Sequence, residues 1–487
     1  MRRSRLLALG IIAAVLVAVG AGAVAVWSPP EEPAARGGPA SARSSDDPSV
    51  SADPEPADPE PADLLLALPR PLDPAPALGA ASGPVADRLA VRAVLRPLLK
   101  DPDLRRHTGV VIRDLRRDRE VLRAGGDDPF VPASTLKLLT AAAALSELGP
   151  DHRFVTSVAR ASGRPAARPT VVLVGGGDPL LASTAAAAEL RNYPAGATLS
   201  GLATRTARAL RAGGVRKVRV GYDESLFTGR SVARTWEPNY VPDGVVYPIS
   251  ALLVDGGRFG AGQARAAADT FVQELRARGV QVSGGAPRRV RADNGAVTLA
   301  REPGAALEDV VEHVLQVSDN EGAEMLLRHV GLSTGRAGSF VGGVAGARQV
   351  LSELGVPFED ITMHDGSGLS RSDQISLAGL SRVLQLGADP DHPELRVITT
   401  GVPVAGFTGS LSSRFLGSST TTGRGVVRAK TGTLLQVHAL AGTVVTRDGT
   451  LLGFAALTDR VRLRDNIDAR QQIDEIAAAL AGCGCAG

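Results

Sequence analysis

Four lysines, at positions 100, 137, 217 and 430, stand beside fifty arginines (54 basic residues less four) in this 487-residue chain. Arginine keeps its proton in proteins, whereas a buried lysine can be neutral near pH 7 and serve as a base. Two of the four lie where that matters: Lys137 closes Ser134-Thr135-Leu136-Lys137, and Lys430 opens Lys430-Thr431-Gly432-Thr433. Ser318-Asp319-Asn320 falls between them. A serine three residues ahead of a lysine on a helix shares its face. In the first turn it also has free backbone N–H groups and the helix dipole at hand. A nucleophile with its base in reach and an N–H for a developing oxyanion is the equipment of acyl transfer.

Each motif has a plainer reading. Ser134 would serve as an N-cap with Lys137 on the surface, although Leu136, Leu138 and Leu139 crowd this helix and imply burial of Lys137. Ser318 with Glu321 satisfies S-x-x-E, a capping box; the chemical reading points Ser318 at the Ser134–Lys137 pair as a proton relay and Asn320 at a substrate amide carbonyl. The segment 430–433 follows a strand-like stretch at 426–429, which places it on a sheet edge beside the nucleophile helix. A cation there would bind a terminal carboxylate and lower the pKa of a nearby Lys137; the plain alternative is a turn with an exposed lysine. Three motifs in order, using two of four lysines, favour catalysis.

Other chemistries lack their parts. There is no G-x-S-x-G elbow, and the seven histidines form no H-E-x-x-H pair. Gly175-Gly176-Gly177-Asp178-Pro179 lacks the lysine of a phosphate loop and reads as a turn. No cofactor or metal is called for. Cys483 and Cys485, the only cysteines, are open to pairing with each other or with another chain.

The elements that must position these residues follow from periodicity. A helical pattern covers 87–99, a hairpin 109–112 and 120–122, and a helix 134–148 ended by Gly149. Between 151 and 300, strand-like and helix-like pieces alternate: strand 170–174, helix 202–212, strand 217–220, helix 267–278. Helices return at 306–317 and 321–330, strands at 426–429, 440–446 and 451–457, and a last helix at 465–480. Late strands with helices in the middle predict an α+β architecture, an antiparallel sheet backed by helices.

The chain opens with arginines at 2, 3 and 5, followed by 22 apolar or glycine residues at 6–27, enough to span a bilayer with residues 1–5 as a cytoplasmic stub. We read 6–27 as a single anchoring helix; Ala23-Val24-Ala25 resembles a cleavage site and keeps a signal peptide as the alternative. Residues 28–86 are rich in Pro, Ala, Asp and Glu, with Ala52-Asp53-Pro54-Glu55-Pro56 repeated at 57–61, a solvated stalk between membrane and folded domain. The folded part is therefore expected outside the cytoplasm. A net charge of +3, with arginines dispersed among 51 acidic residues, argues against nucleic acid as a partner. Aromatic content of 3% means cores of Ala, Val and Leu.

Taken together the motifs resemble those of the D-alanyl-D-alanine carboxypeptidase/endopeptidase family, class C low-molecular-weight penicillin-binding proteins (peptidase family S13). The resemblance spans about 87–480 and includes the Gly175–Pro179 run, Asp365-Gly366-Ser367-Gly368-Leu369-Ser370-Arg371 and Gly409-Ser410-Leu411-Ser412-Ser413-Arg414. It implies a β-lactamase/transpeptidase-like domain in two parts, 87–150 and 301–487, split by an inserted α/β region at 151–300, one domain or two. It also implies peptidoglycan stem peptides as substrate and acylation by β-lactam antibiotics. Ser134 would attack, Lys137 take its proton and Ser318 return one to the leaving D-alanine. The N–H groups of Ser134 and Thr433 would form the oxyanion hole, Asn320 would hold the peptide, and Lys430, Thr431 and Thr433, with Gly432 between them, the terminal carboxylate. Asp178 and Arg371 would grip a diaminopimelate side chain. A serine β-lactamase and a catalytically inactive wall-binding protein are the alternatives.

Overall fold

The computed structural model describes residues 84–486 apart from 101–106, 126–127, 161–168, 258–261 and 293–294. The expected anchor at 6–27 and the stalk, except its last three residues, lie outside the described residues. Those three already belong to the fold: Ala86 is buried and bridges Ala486.

Helix α1 (Arg88–Leu95), capped by Asp87, leads into strands β1 (Thr108–Asp114) and β2 (Arg119–Ala124). A 3-10 turn, Ala133–Leu136, then runs into α2 (Lys137–Leu148), which Gly149 ends at φ +82°. The predicted single helix is thus two pieces, with Ser134 in the tight one. The chain next builds a separate sheet: β3 (Val155–Arg160), β4 (Thr170–Val174), helices α3 (Ala185–Leu190) and α4 (Leu199–Ala212), β5 (Lys217–Asp223), α5 (Gln263–Ala277), β6 (Gln281–Val282), β7 (Arg288–Arg289) and β8 (Val297–Pro303). Its order is β6-β5-β4-β3-β8, with β7 also on β5. Strands β4, β5 and β6 run parallel because helices cross between them, and α4 and α5 bury Leu202, Leu210, Phe271 and Leu275 with Val171, Leu173 and Val218.

The remainder returns to the first sheet. Helices α6 (Leu307–Val317), α7 (Asn320–Ser333), α8 (Phe340–Glu353), α9 (Leu377–Leu386) and α10 (Val397–Thr400) precede β9 (Arg428–Leu434), β10 (Val437–Val445), β11 (Leu451–Thr458) and α11 (Asn466–Ala481). The antiparallel order is β2-β1-β11-β10-β9. In the central β10 alternate side chains enter two cores. Ala439 and Ala441 join α2, α7 and α9 on one face; Leu440 and Val444 join α11 and α1 on the other. Alanine on the sheet meets Ala141 to Ala144 of α2, so small side chains let this helix lie close. The strand expected at 426–429 begins at Arg428 instead and carries the whole Lys430–Thr433 motif within β9, the edge strand. Helices α8 and α9 were not anticipated; the glycines of α8 obscured its periodicity, and Gly331 and Gly343 sit where a Cβ would meet neighbouring backbone. Cys483 and Cys485 are disulfide-bonded to each other.

Candidate active site

Ser134 stands in the 3-10 turn just before α2, following Ala133, which adopts a positive φ of 45°. Gly368, at φ +79°, closes on this turn: a Cβ there would lie 1.9 Å from the Ala133 carbonyl. Gly432 does the same from β9, where a Cβ would lie 2.7 Å from the Pro132 carbonyl. The glycines of two distant motifs therefore allow the nucleophile turn to be gripped between β9 and the loop after residue 365.

Lys137 is wholly buried. Its Nζ donates to Ser134 Oγ at 3.0 Å, Asn320 Oδ1 at 2.7 Å and the Ser367 carbonyl at 2.8 Å. Burial lowers its pKa to about 8 against the opposing field of Glu324, Asp365, Asp319 and Glu321. Lys430 is equally buried and donates to Ser318 Oγ at 2.9 Å and to the Thr431 carbonyl at 3.0 Å. Its pKa falls well below the ordinary lysine value through burial, then through the charges of Lys137 and Arg414. The expectation that a charged Lys430 depresses Lys137 is thus corrected. Burial lowers Lys137, and Lys430 has lysine and arginine rather than carboxylates in its field. Lys430, wholly buried, has the Ser318 hydroxyl as its side-chain partner.

The junction of α6 and α7 explains the middle motif. Ser318 ends α6 in a left-handed conformation (φ +61°), and Asp319 caps α7, accepting from Gly322 N–H at 3.0 Å. The cap is Asp319 and not Ser318, which leaves the Ser318 hydroxyl for Lys430. Glu321 accepts from Tyr247 N–H at 2.6 Å instead of completing a capping box. Ser318 is joined to Lys430 and has no bond to Ser134 or Lys137, so the expected relay reaches the pair only across the cleft. Asn320 accepts from Lys137 and donates through Nδ2 to the Val245 carbonyl at 2.8 Å.

Thr431 Oγ1 lies 2.8 Å from Ser410 Oγ, and Thr433 is exposed near the end of β9. Upstream the outer edge of β9 is covered, since Ala429 N–H donates to the Pro403 carbonyl and Val404 bridges Arg428. Beyond Ala429 no other described strand pairs with that edge. Arg414, just after the 3-10 turn Gly409–Leu411 that carries Ser410, makes a bidentate ion pair with Asp474 of α11.

Asp178 and Arg371 have separate partners. Asp178 is 1% exposed, accepts from Leu180 N–H at 3.0 Å and packs against Gly304, and burial raises its pKa to about 7. The glycine run turns tightly here, with Gly177 at φ +67° and its carbonyl 2.8 Å from His329 Nε2, and folds the carboxylate inward. Arg371 is at the rim, with Nη2 donating to the Leu435 carbonyl at 3.0 Å and Nε 3.4 Å from Glu237.

Two residues have supporting roles that the sequence reading did not assign, Asp365 although it opens the run quoted from 365 to 371. Glu324 accepts from the N–H groups of Gly366 and Ser367 at 2.9 to 3.1 Å, and so holds the Ser367 carbonyl against Lys137. Asp365 accepts from Trp236 Nε1 at 2.7 Å, Gly368 N–H at 2.7 Å and Ser370 N–H at 2.8 Å. Glu324 follows Asn320 by four residues and precedes Arg328 by four, a polar stripe on an otherwise apolar helix that was the available signal.

A model of the D-Ala-D-Ala carboxypeptidase 3 (S13) family matches residues 91–267 and 260–480. The chain is 33% identical over 436 residues to carboxypeptidase Rv3627c of Mycobacterium tuberculosis, covering 86% of this chain and 89% of that one. It is 32% identical over 420 residues to carboxypeptidase DacB of Mycolicibacterium smegmatis, covering 83% and 86%. Its fold is similar to the crystal structure of penicillin binding protein 4 (dacB) from Haemophilus influenzae, with a TM-score of 0.63 at 19% identity over 80% of this chain and 97% of that one. The same protein complexed with a β-lactam gives a TM-score of 0.58 at 20% identity over the same shares.

Proposed function

We propose, from the premise that the chain belongs to the D-Ala-D-Ala carboxypeptidase 3 (S13) family, that Ser134, Lys137, Ser318 and Lys430 carry its acyl-transfer cycle. The chain is a serine-type D-Ala-D-Ala carboxypeptidase and endopeptidase, and its substrates are peptidoglycan stem peptides. The observation that carries the assignment is the 3.0 Å bond from Lys137 Nζ to Ser134 Oγ at a lysine whose pKa is lowered to about 8. Neutral Lys137 takes the Ser134 proton as Oγ attacks the carbonyl between the two D-alanines. The N–H groups of Ser134 and Thr433 hold the oxyanion. As the C–N bond breaks, Ser318, backed by Lys430, delivers the proton to the departing D-alanine; water then hydrolyses the ester.

The substrate lies extended along the open end of the β9 edge, as an added strand. Asn320 transfers its Nδ2–H from the Val245 carbonyl to the peptide, and the hydroxyls of Thr431 and Thr433 meet the terminal carboxylate beside Gly432. Arg371 receives the acidic end of a diaminopimelate side chain. The catalytic domain comprises 87–150 and 301–487, with 151–300 inserted, and it acts outside the cytoplasm on the stalk 28–86, tethered by the apolar segment 6–27.

β-Lactams acylate Ser134, and intact-mass measurement tests this directly. Penicillin should add its mass to the wild type and not to Ser134→Ala, which should also lose D-alanine release. An adduct on the alanine variant would overturn the assignment. In the same assay, Arg371→Ala should impair diaminopimelate-bearing peptides more than truncated ones; equal impairment removes Arg371 from the substrate site.

A further inference from the structure

Away from the catalytic motifs, the inserted sheet and α7 enclose a cavity of about 290 Å³. Arg230, Arg265, Arg289 and Arg328 line it against one carboxylate, Glu224. Two of the arginines are spoken for: Arg289 lies 3.5 Å from Glu224, and Arg265 2.9 Å from Asp269. Arg230 and Arg328 leave the cavity with surplus positive charge. The guanidinium of Arg328 donates to carbonyls, those of Thr228, Gly338 and Arg230 at 2.7 to 3.1 Å, and lies over the rings of Phe227 and Phe340, with no carboxylate among its hydrogen-bond partners.

Helix α5 starts in the same place. Residues 262–265 line the cavity, and Gly262 supplies no side-chain cap, so the positive end of a 15-residue helix opens onto it. Two lining residues also carry buried polar atoms with no partner. Arg328, 1% exposed, has a free Nε donor, and Gln263, 2% exposed, a free Oε1 acceptor. Buried donors and acceptors are ordinarily satisfied. Here the missing partners have defined chemistry: an anion for the arginines and the helix end, and an adjacent N–H for Gln263.

We propose that this cavity is a second peptide-binding subsite, which takes a carboxylate flanked by an amide N–H. A stem peptide carries that pair of groups, whereas a phosphodiester brings charge without the donor. Arg328 follows Asn320 by two turns of α7, about 12 Å along the helix. A second stem peptide held there is near enough to be the cross-linked neighbour of the one in the catalytic cleft, which favours cleavage of cross-links. This rests on the reading of the active site as a stem-peptide hydrolase.

Calorimetric titration of the full chain tests the subsite with an N-acetylated dipeptide that has a free α-carboxylate and no D-alanine end. Saturable binding is expected, about tenfold weaker in Arg230→Ala and in Gln263→Leu, each losing one charge-assisted or amide contact. Both variants should still release D-alanine from a small D-Ala-D-Ala peptide at the wild-type rate. Absent binding, or binding indifferent to both substitutions, overturns the subsite. Sodium phosphate binding as tightly as the dipeptide overturns the peptide assignment. Dipeptide binding by a wild type that releases no D-alanine would sink the hydrolase reading and leave the subsite standing; D-alanine release without dipeptide binding would do the reverse.

Discussion

At the scale of single residues, the proposed chemistry depends on removing a proton from lysine at ordinary pH. Burial does this to Lys137, and four carboxyl groups limit how far it goes. Base catalysis therefore requires the neutral form, and kcat/KM should rise with pH through about 8. A profile flat from pH 6 to 9 would refute Lys137 as the base. Lys137→Arg, unable to lose its proton, should cost at least roughly a hundredfold in rate at every pH. Stability carries the same sign. Between about 8 and 10.5 the unfolded chain holds this proton and the folded chain does not, so stability rises with pH across that window. Below it the fold bears a cost of about 3 kcal/mol for the charged form. Urea midpoints compared with Lys137→Met, which lacks the group, isolate this slope.

At the scale of elements, each residue proposed as catalytic is held where two elements meet. Ser134 occupies a 3-10 turn clasped by Gly368 and Gly432, and Ser318 the left-handed residue between α6 and α7. Because Asp319 rather than Ser318 caps α7, Asp319→Ala should lose about 1 kcal/mol of stability. Gly368→Ala combines positive φ with a Cβ inside van der Waals contact of Ala133, and should cost about 2 to 4 kcal/mol. Thermal unfolding of the two variants checks both, and a Gly368→Ala protein as stable as the wild type would mean that the nucleophile turn is not clasped.

At the scale of the molecule, one chain builds an antiparallel five-stranded sheet with separate cores on its two faces and interrupts it with a second sheet that has a core of its own. Chain entry and exit meet: Ala86 bridges Ala486, and Asp87 N–H donates to the Cys485 carbonyl at 2.7 Å. Among the described residues no helix is long and apolar enough to cross a membrane. If the proposed tether at 6–27 operates, the full chain should sediment with membranes while a chain beginning at residue 84 stays in the supernatant. Equal partition of both would remove the tether.

The amino-acid sequence alone determined the three motifs to which the proposed catalysis is assigned, the α+β class and most element positions. Nucleophile, base and capping signals are local, and helical and strand periods register within a dozen residues. What it left ambiguous was decided by contacts between residues far apart in the chain. Ser318 and Glu321 fit a capping box locally, yet Lys430 and Tyr247 claim them across the fold. Lys430 reads as a free cation in sequence, and only the packing of β9 against the nucleophile turn buries it. Asp178 sits in a motif that the resemblance ties to substrate, and only the turn against His329 and Gly304 shows the carboxylate facing inward. Burial is a property of the assembled layers, and burial sets both the charge of a lysine and the reach of a carboxylate.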